Sequence, residues 1–185
     1  MAVKGLREKR RRQRREAFEL VKVFSVSLAV ALAVTAFVRP TLVRGQSMEP
    51  TLENNDYLIV KSSSLLGTVP EYGDLIVFNS KVASKEGYTR LLKRVIGLPG
   101  DTIEIKDGTV FRNGAPLKED YLKETGTTGN LEKFKVEENR VFVMGDNRAN
   151  SLDSRNRMLG TIGFEDIIGT AEFRLFPLSK IGRLK

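Results

Sequence analysis

The sequence predicts an all-β domain, a barrel or coiled sheets, behind a single N-terminal transmembrane helix. Three observations point there. A charge-free apolar run, Val23 to Val38, follows a strongly basic start. After residue 53, short β-rich runs alternate with turn residues. No amphipathic helical pattern of any length interrupts those runs.

The first element is a basic tail. The 185-residue chain carries 31 Lys plus Arg against 23 Asp plus Glu, a net charge of +8. Residues 1–22 hold nine of the bases and three of the acids, so +6 sits in this short stretch. The rest is nearly balanced at +2, as in an ordinary soluble domain.

The second element is the span. From Leu20 to Val38, Lys22 is the sole charge in 19 positions. A bilayer core takes roughly 17–25 helical residues, and a lysine near the end can snorkel to the headgroups. Arg39-Pro40 should stop the helix. A cleaved secretory leader and a buried core helix are the competing readings. The run exceeds the roughly 7–15 apolar residues of a leader. Small-x-small triplets such as Ala31-Leu32-Ala33 also lie inside it rather than after it.

Nine bases precede the span and only Arg39 and Arg44 closely follow it, so the N-terminus should stay cytoplasmic. The expected organisation is a basic tail at 1–19, an anchor at 20–38 and an extracytoplasmic domain at 39–185, single-pass in the plasma membrane. The arginine run is then a topology signal. It is compatible with lipid contact and gives no reason to expect a nucleic-acid partner.

The strands follow in order. Expected are Asp56–Lys61, Asp74–Phe78, Arg90–Leu98, Thr102–Lys106, Val110–Arg112, Arg140–Met144 and Ile168–Phe176. Asp107-Gly108 joins two of them as a type I′ hairpin signal, and Asn113-Gly114 offers a second tight turn. Ser80–Gly87 and Thr125–Gly129 read as loops.

Two absences limit the chemistry. There is no Cys and no His. Thiolate nucleophiles, disulfides, Cys-based zinc sites and the Ser-His-Asp triad are excluded. Acid–base work must fall to Asp, Glu, Lys or Tyr.

Three motifs carry reactive groups. Gly45-Gln46-Ser47-Met48-Glu49-Pro50-Thr51-Leu52 reads, by itself, as a turn leaving the membrane. It is not the nucleophile elbow, because Glu49 replaces the second Gly. In Lys93-Arg94-Val95-Ile96-Gly97-Leu98-Pro99-Gly100-Asp101, Lys93 shares a strand face with Leu91 and Val95. A lysine so placed is either a base with its pKa lowered by desolvation or a strand lysine on a solvated edge. Gly145-Asp146-Asn147-Arg148-Ala149-Asn150-Ser151-Leu152-Asp153-Ser154-Arg155 is dense in polar groups. By itself it is an Asx-rich loop ordered by internal pairs such as Asp153 with Arg155 or Arg94. It lacks the Gly and Glu of a calcium loop.

Together these motifs resemble those of bacterial type I signal peptidases, membrane-anchored serine proteases that remove signal peptides from exported proteins. The boxes are S-M-x-P-T-L at 47–52, Y-G-D-hydrophobic at 72–78, K-R-V-I-G-x-P-G-D at 93–101 and G-D-N-x-x-x-S-x-D-S-R at 145–155. The single anchor is similar to the short, Gram-positive type. The resemblance implies a catalytic domain of coiled antiparallel β-sheet. It implies Ser47 as nucleophile and Lys93 as general base, with Ser151 orienting the lysine. Asp153, Arg155, Asp146 and Arg94 would support them.

Some family members place a Ser two residues before the nucleophile as an oxyanion donor; here that position is Gly45. The oxyanion hole is therefore expected from the backbone N–H groups of Ser47 and Gly45. Met48 and Ile96 are the candidate pocket residues. Substrates would be precursor proteins cut after small-x-small sites, with membrane lipid as the other contact. No metal or cofactor is implied, and a monomer is expected. Two alternatives remain: another membrane-anchored Ser/Lys processing protease, or an inactive tethered β-module that binds peptides.

Overall fold

Alternation of apolar and polar residues sets the strands, and turn residues with positive φ set their joins. A computed structural model describes residues 2–63, 69–82, 87, 89–122 and 126–184. Side chains are described from Arg14 onward, apart from 32–38. The chain divides into two compact units, Met1–Val38 and Arg39–Lys185.

The first unit is one helix, α1 (Ala2–Phe37). Its described apolar side chains from Phe18 to Val30 are exposed. Among the described residues no helix is long and apolar enough to cross a membrane. The side chains at 32–38, the last third of the expected span, lie outside the described set.

The second unit is built from twelve strands: β1 (Val38–Leu42), β2 (Tyr57–Ser62), β3 (Leu75–Asn79), β4 (Arg90–Gly97), β5 (Thr102–Lys106), β6 (Thr109–Arg112), β7 (Ala115–Pro116), β8 (Leu131–Lys135), β9 (Arg140–Met144), β10 (Ile162–Gly163), β11 (Ile167–Phe176) and β12 (Gly182–Arg183). The larger sheet runs β1-β2-β11-β3-β4-β9-β10, with β12 on β11; the smaller runs β7-β6-β5-β8. The registered pairs are antiparallel. Both sheets keep open edges, so the barrel alternative gives way to two sheets.

All seven expected strands appear, with ends shifted by at most a residue or so. Asp107 (φ 50°) with Gly108 (φ 75°), and Asn113 (φ 54°) with Gly114 (φ 81°), make the two tight hairpin turns. Of the expected loops, residues 83–86 and 125 lie outside the described set.

The unforeseen strands are edges or very short. β1 holds Pro40, which an edge strand tolerates because its N–H side need not pair. β8 (LEKFK) carries three charges on an edge.

Apolar side chains form three cores. One gathers Val43, Met48, Leu52, Leu58 and Leu75; the second gathers Ile76, Phe78, Val95 and Val143. The third joins the two sheets through Ile96, Ile103, Ile105, Phe142 and Met144. β4 is the strand that matters most for the site. It lies between β3 and β9, and Lys93 and Arg94 are each 2% exposed. The solvated-edge reading of Lys93 therefore falls.

Candidate active site

The turn after β1 presents Ser47. Gly45 (φ 87°) turns the chain there, and its N–H donates to Asn54 Oδ1 at 3.1 Å. Asn147 fixes the turn from the other side. Its backbone N–H donates to Ser47 O (3.0 Å) and its amide to Gln46 O (3.1 Å). The first and third motifs are thus joined across 100 residues.

Lys93 reaches this turn from the middle of the sheet. Its Nζ donates to Ser47 Oγ at 2.6 Å and to Leu92 O at 2.9 Å. Ser47, Lys93 and Ser151 all line one cleft of about 610 Å³, together with Met48. Ser151 Oγ is buried and completes no hydrogen bond. It lies near enough to the Asp153 carboxylate to help stabilise that charge.

Gly145 explains the close fit. A Cβ there would stand 2.3 Å from Ser151 Oγ and 2.4 Å from Ser47 O. Only a residue without a side chain lets the loop and the Ser47 turn touch.

Two buried ion pairs hold the frame. Arg94 binds Asp146 through Nε (2.9 Å) and Nη2 (2.7 Å), and its Nη1 donates to Gly73 O at 2.9 Å. Both partners are at most 3% exposed. The Thr51 hydroxyl donates to Asp146 Oδ2, tying the first motif to this pair. Arg155 donates to both Asp153 oxygens at 2.9 Å, and the Gly145 N–H also donates to Asp153. Of the two arginines expected for Asp153, it takes Arg155. Burial alone would push the Asp153 carboxyl up. The Arg155 bonds and charge, the Gly145 N–H and Ser151 outweigh it, so it sits below the ordinary aspartate value.

Three residues outside the sequence expectations complete the frame. Arg148 binds Glu119 (2.6 and 2.9 Å), Thr127 and Gly145 O. The Tyr121 ring lies 4.1 Å from the Arg94 guanidinium. Burial first, and then the hydrogen bond to Glu119, raise the Tyr121 phenol well above its usual range. Arg148 stands inside a motif and could have been weighed. Glu119 and Tyr121 carry no local signal, because their partners are 27–29 residues away.

Two expected roles change. Ile96 does not reach the cleft. Three residues along β4 from Lys93, Ile96 alternates onto the opposite face and packs in the core joining the sheets, where the register with β9 shifts between Val95 and Gly97. The Gly45 N–H is engaged by Asn54, which removes it as a ready oxyanion donor. For the Ser47 N–H no hydrogen bond is found among the described residues. Also among the described residues, no group of three or more carboxylates could hold a metal.

The family of signal peptidases, peptidase S26, matches residues 17–176. The chain belongs to this family. It is 38% identical over 188 residues to a signal peptidase I P of Bacillus subtilis subsp. natto, covering 96% of this chain and 99% of that one. It is 42% identical over 171 residues to a probable signal peptidase I-1 of Synechocystis sp., covering 90% and 86%. The crystal structure of a signal peptidase I from Enterococcus faecalis V583 is 34% identical, with a TM-score of 0.45, covering 56% of this chain and 97% of that one. As a type I signal peptidase the chain is a hydrolase, a serine endopeptidase of signal-peptide processing. Its substrates are precursor proteins carrying signal peptides.

Proposed function

We propose that Ser47 is the nucleophile and Lys93 the general base of a membrane-anchored signal peptidase that cuts after small-x-small sites. The observation that carries this reading is the 2.6 Å contact between Lys93 Nζ and Ser47 Oγ. That is hydrogen-bond reach for proton transfer. Lys93 is buried in the sheet beside Ser47, and a base at this position acts as the neutral amine. With no histidine in the chain, no imidazole competes for the role.

The neutral amine takes the Ser47 hydroxyl proton as Oγ attacks the scissile carbonyl. The resulting oxyanion is stabilised by the Ser47 N–H. The Lys93 ammonium returns its proton to the leaving amine, and the acyl group stays on Ser47 Oγ. Lys93 then deprotonates a water, which hydrolyses the ester. Leu92 O holds Nζ in place between the steps. Asp153 with Arg155, and Asp146 with Arg94, keep the loop and the turn in register. Ser151 orients the lysine when substrate closes the cleft, and Met48 lines the specificity pocket.

The charge-free apolar run from Val23 to Val38 in the sequence supports an anchor over 20–38. The basic residues before that stretch support a cytoplasmic N-terminus and an extracytoplasmic domain over 39–185. The test is precursor cleavage in neutral detergent. Ser47→Ala and Lys93→Ala should each abolish it, with folding intact by circular dichroism. Full activity in Lys93→Ala would end the dyad.

A further inference from the structure

Among the described residues, the cleft around Ser47 is lined by three bases, Arg44, Arg90 and Lys93, and by no carboxylate. Each arginine stands three residues before one member of the reacting pair: Arg44 before Ser47, Arg90 before Lys93. Arg90 opens β4, so its Cα is about 10 Å along the strand from that of Lys93 at about 3.3 Å per residue. Both arginines are exposed, and neither forms an ion pair among the described residues. Arg44 donates only to a neutral partner, Asn55 Oδ1, at 3.1 Å, which holds the side chain without cancelling its charge. Among the described residues, several nearby carboxylates are committed elsewhere. Glu53 pairs with Lys180, Asp56 with Arg174 and Asp153 with Arg155. A cleft lined by one sign of charge concentrates its field on whatever enters.

We infer that Arg44 and Arg90 are specificity-determining residues. They favour precursors with an acidic side chain within about three residues of the scissile bond, and disfavour lysine or arginine there. This rests on the reading of Ser47 and Lys93 as the reacting pair, because that pair defines where the scissile bond lies. The chemistry is charge complementarity at an exposed rim. It leaves small-x-small selection, made by apolar contacts, unaltered.

The test uses the full chain in neutral detergent and synthetic precursor peptides with one small-x-small site. Asp, Asn or Lys is placed in turn at each of the four positions on either side of the cut. The wild type should cleave the best Asp peptide roughly 2–5-fold faster in kcat/KM than its Asn counterpart, and the Lys peptide more slowly. The preference should shrink as salt rises to about 1 M, where the Debye length is near 3 Å. Arg44→Gln with Arg90→Gln should bring the three peptides to equal kcat/KM, the loss of preference being read as a ratio within the variant.

Equal cleavage of the three peptides by wild type at every position overturns the inference while leaving the enzymatic reading standing. So does a preference that survives the double substitution. A preference that appears only on anionic vesicles also overturns it, since the arginines then read lipid phosphate. Failure to cleave even the Asn peptide overturns both. The salt series on wild type needs no variant, so a misfolded variant does not leave the question open.

Discussion

Gly145→Ala is the substitution whose effect follows most directly from the geometry. The added Cβ would lie 2.4 Å from Ser47 O and 2.3 Å from Ser151 Oγ, where ordinary contact begins at 3.4 Å. The difference, 3.4 less 2.4, is a displacement of about 1.0 Å forced on the backbone of Ser47, the proposed nucleophile. Ser151 can rotate away, but the Ser47 carbonyl cannot. It also accepts the Asn147 N–H at 3.0 Å, so the push falls on that bond too. A misplacement near 1 Å at a reacting centre costs about 100-fold in rate, or about 2.7 kcal/mol at about 1.36 kcal/mol per decade. The loss should appear in kcat, because peptide binding uses the whole cleft and the chemical step uses Ser47 Oγ. The assay is steady-state cleavage of a precursor peptide in detergent, with thermal melting measured beside it. Activity within about threefold of wild type would refute the reasoning, since it would mean that the turn and the loop can separate without cost.

Three further outcomes are expected. Thr51→Val removes the hydroxyl bonded to Asp146 and should lower both activity and stability, the latter by about 1–3 kcal/mol; Thr51→Ser should restore both in the same denaturation and cleavage assays. Asp153 has a depressed folded-state pKa, so its contribution to stability is complete above the unfolded value near 3.9. That contribution is lost as pH falls through the folded value, so the stability gap between wild type and Asp153→Asn should narrow in urea titrations taken below about pH 4. Ile96→Val should cost about 0.5–1.5 kcal/mol of stability and leave the preference for small residues unchanged. Met48→Ala should alter it in a peptide series varied at the first and third positions before the cut.

The strands were legible because period-2 alternation survives in single sequences. TIEIK and RVFVM read as strands from their own residues, and Asp107-Gly108 marked its hairpin. β1 was hidden by Pro40 and by the apolar run before it, and β8 by its charges. The proposed pair, Ser47 and Lys93, was suggested only by the motifs taken together. Nothing local to Lys93 distinguishes a buried lysine from one on an edge; the placement of β4 between β3 and β9 decides it. The Ile96 error has a different origin. Strict alternation already puts Ile96 on the face opposite Lys93. The roles of Glu119 and Tyr121 depend on long-range contacts with Arg148, which composition does not encode.

The order β2-β11-β3 has a consequence for biosynthesis. The segment carrying Ser47, β1–β2, and the segment carrying Lys93, β3–β4, are not neighbours in the sheet. The strand between them, Ile167–Phe176, follows both segments in the chain and so leaves the ribosome after them. Until it inserts, the two halves have no sheet continuity, and the 2.6 Å contact lacks the strand that sets its spacing. A chain truncated before Ile167 would hold both reacting residues and still lack the assembled pair. On the proposed Ser47/Lys93 pairing, proteolytic competence is thereby deferred until β11 has been made and inserted.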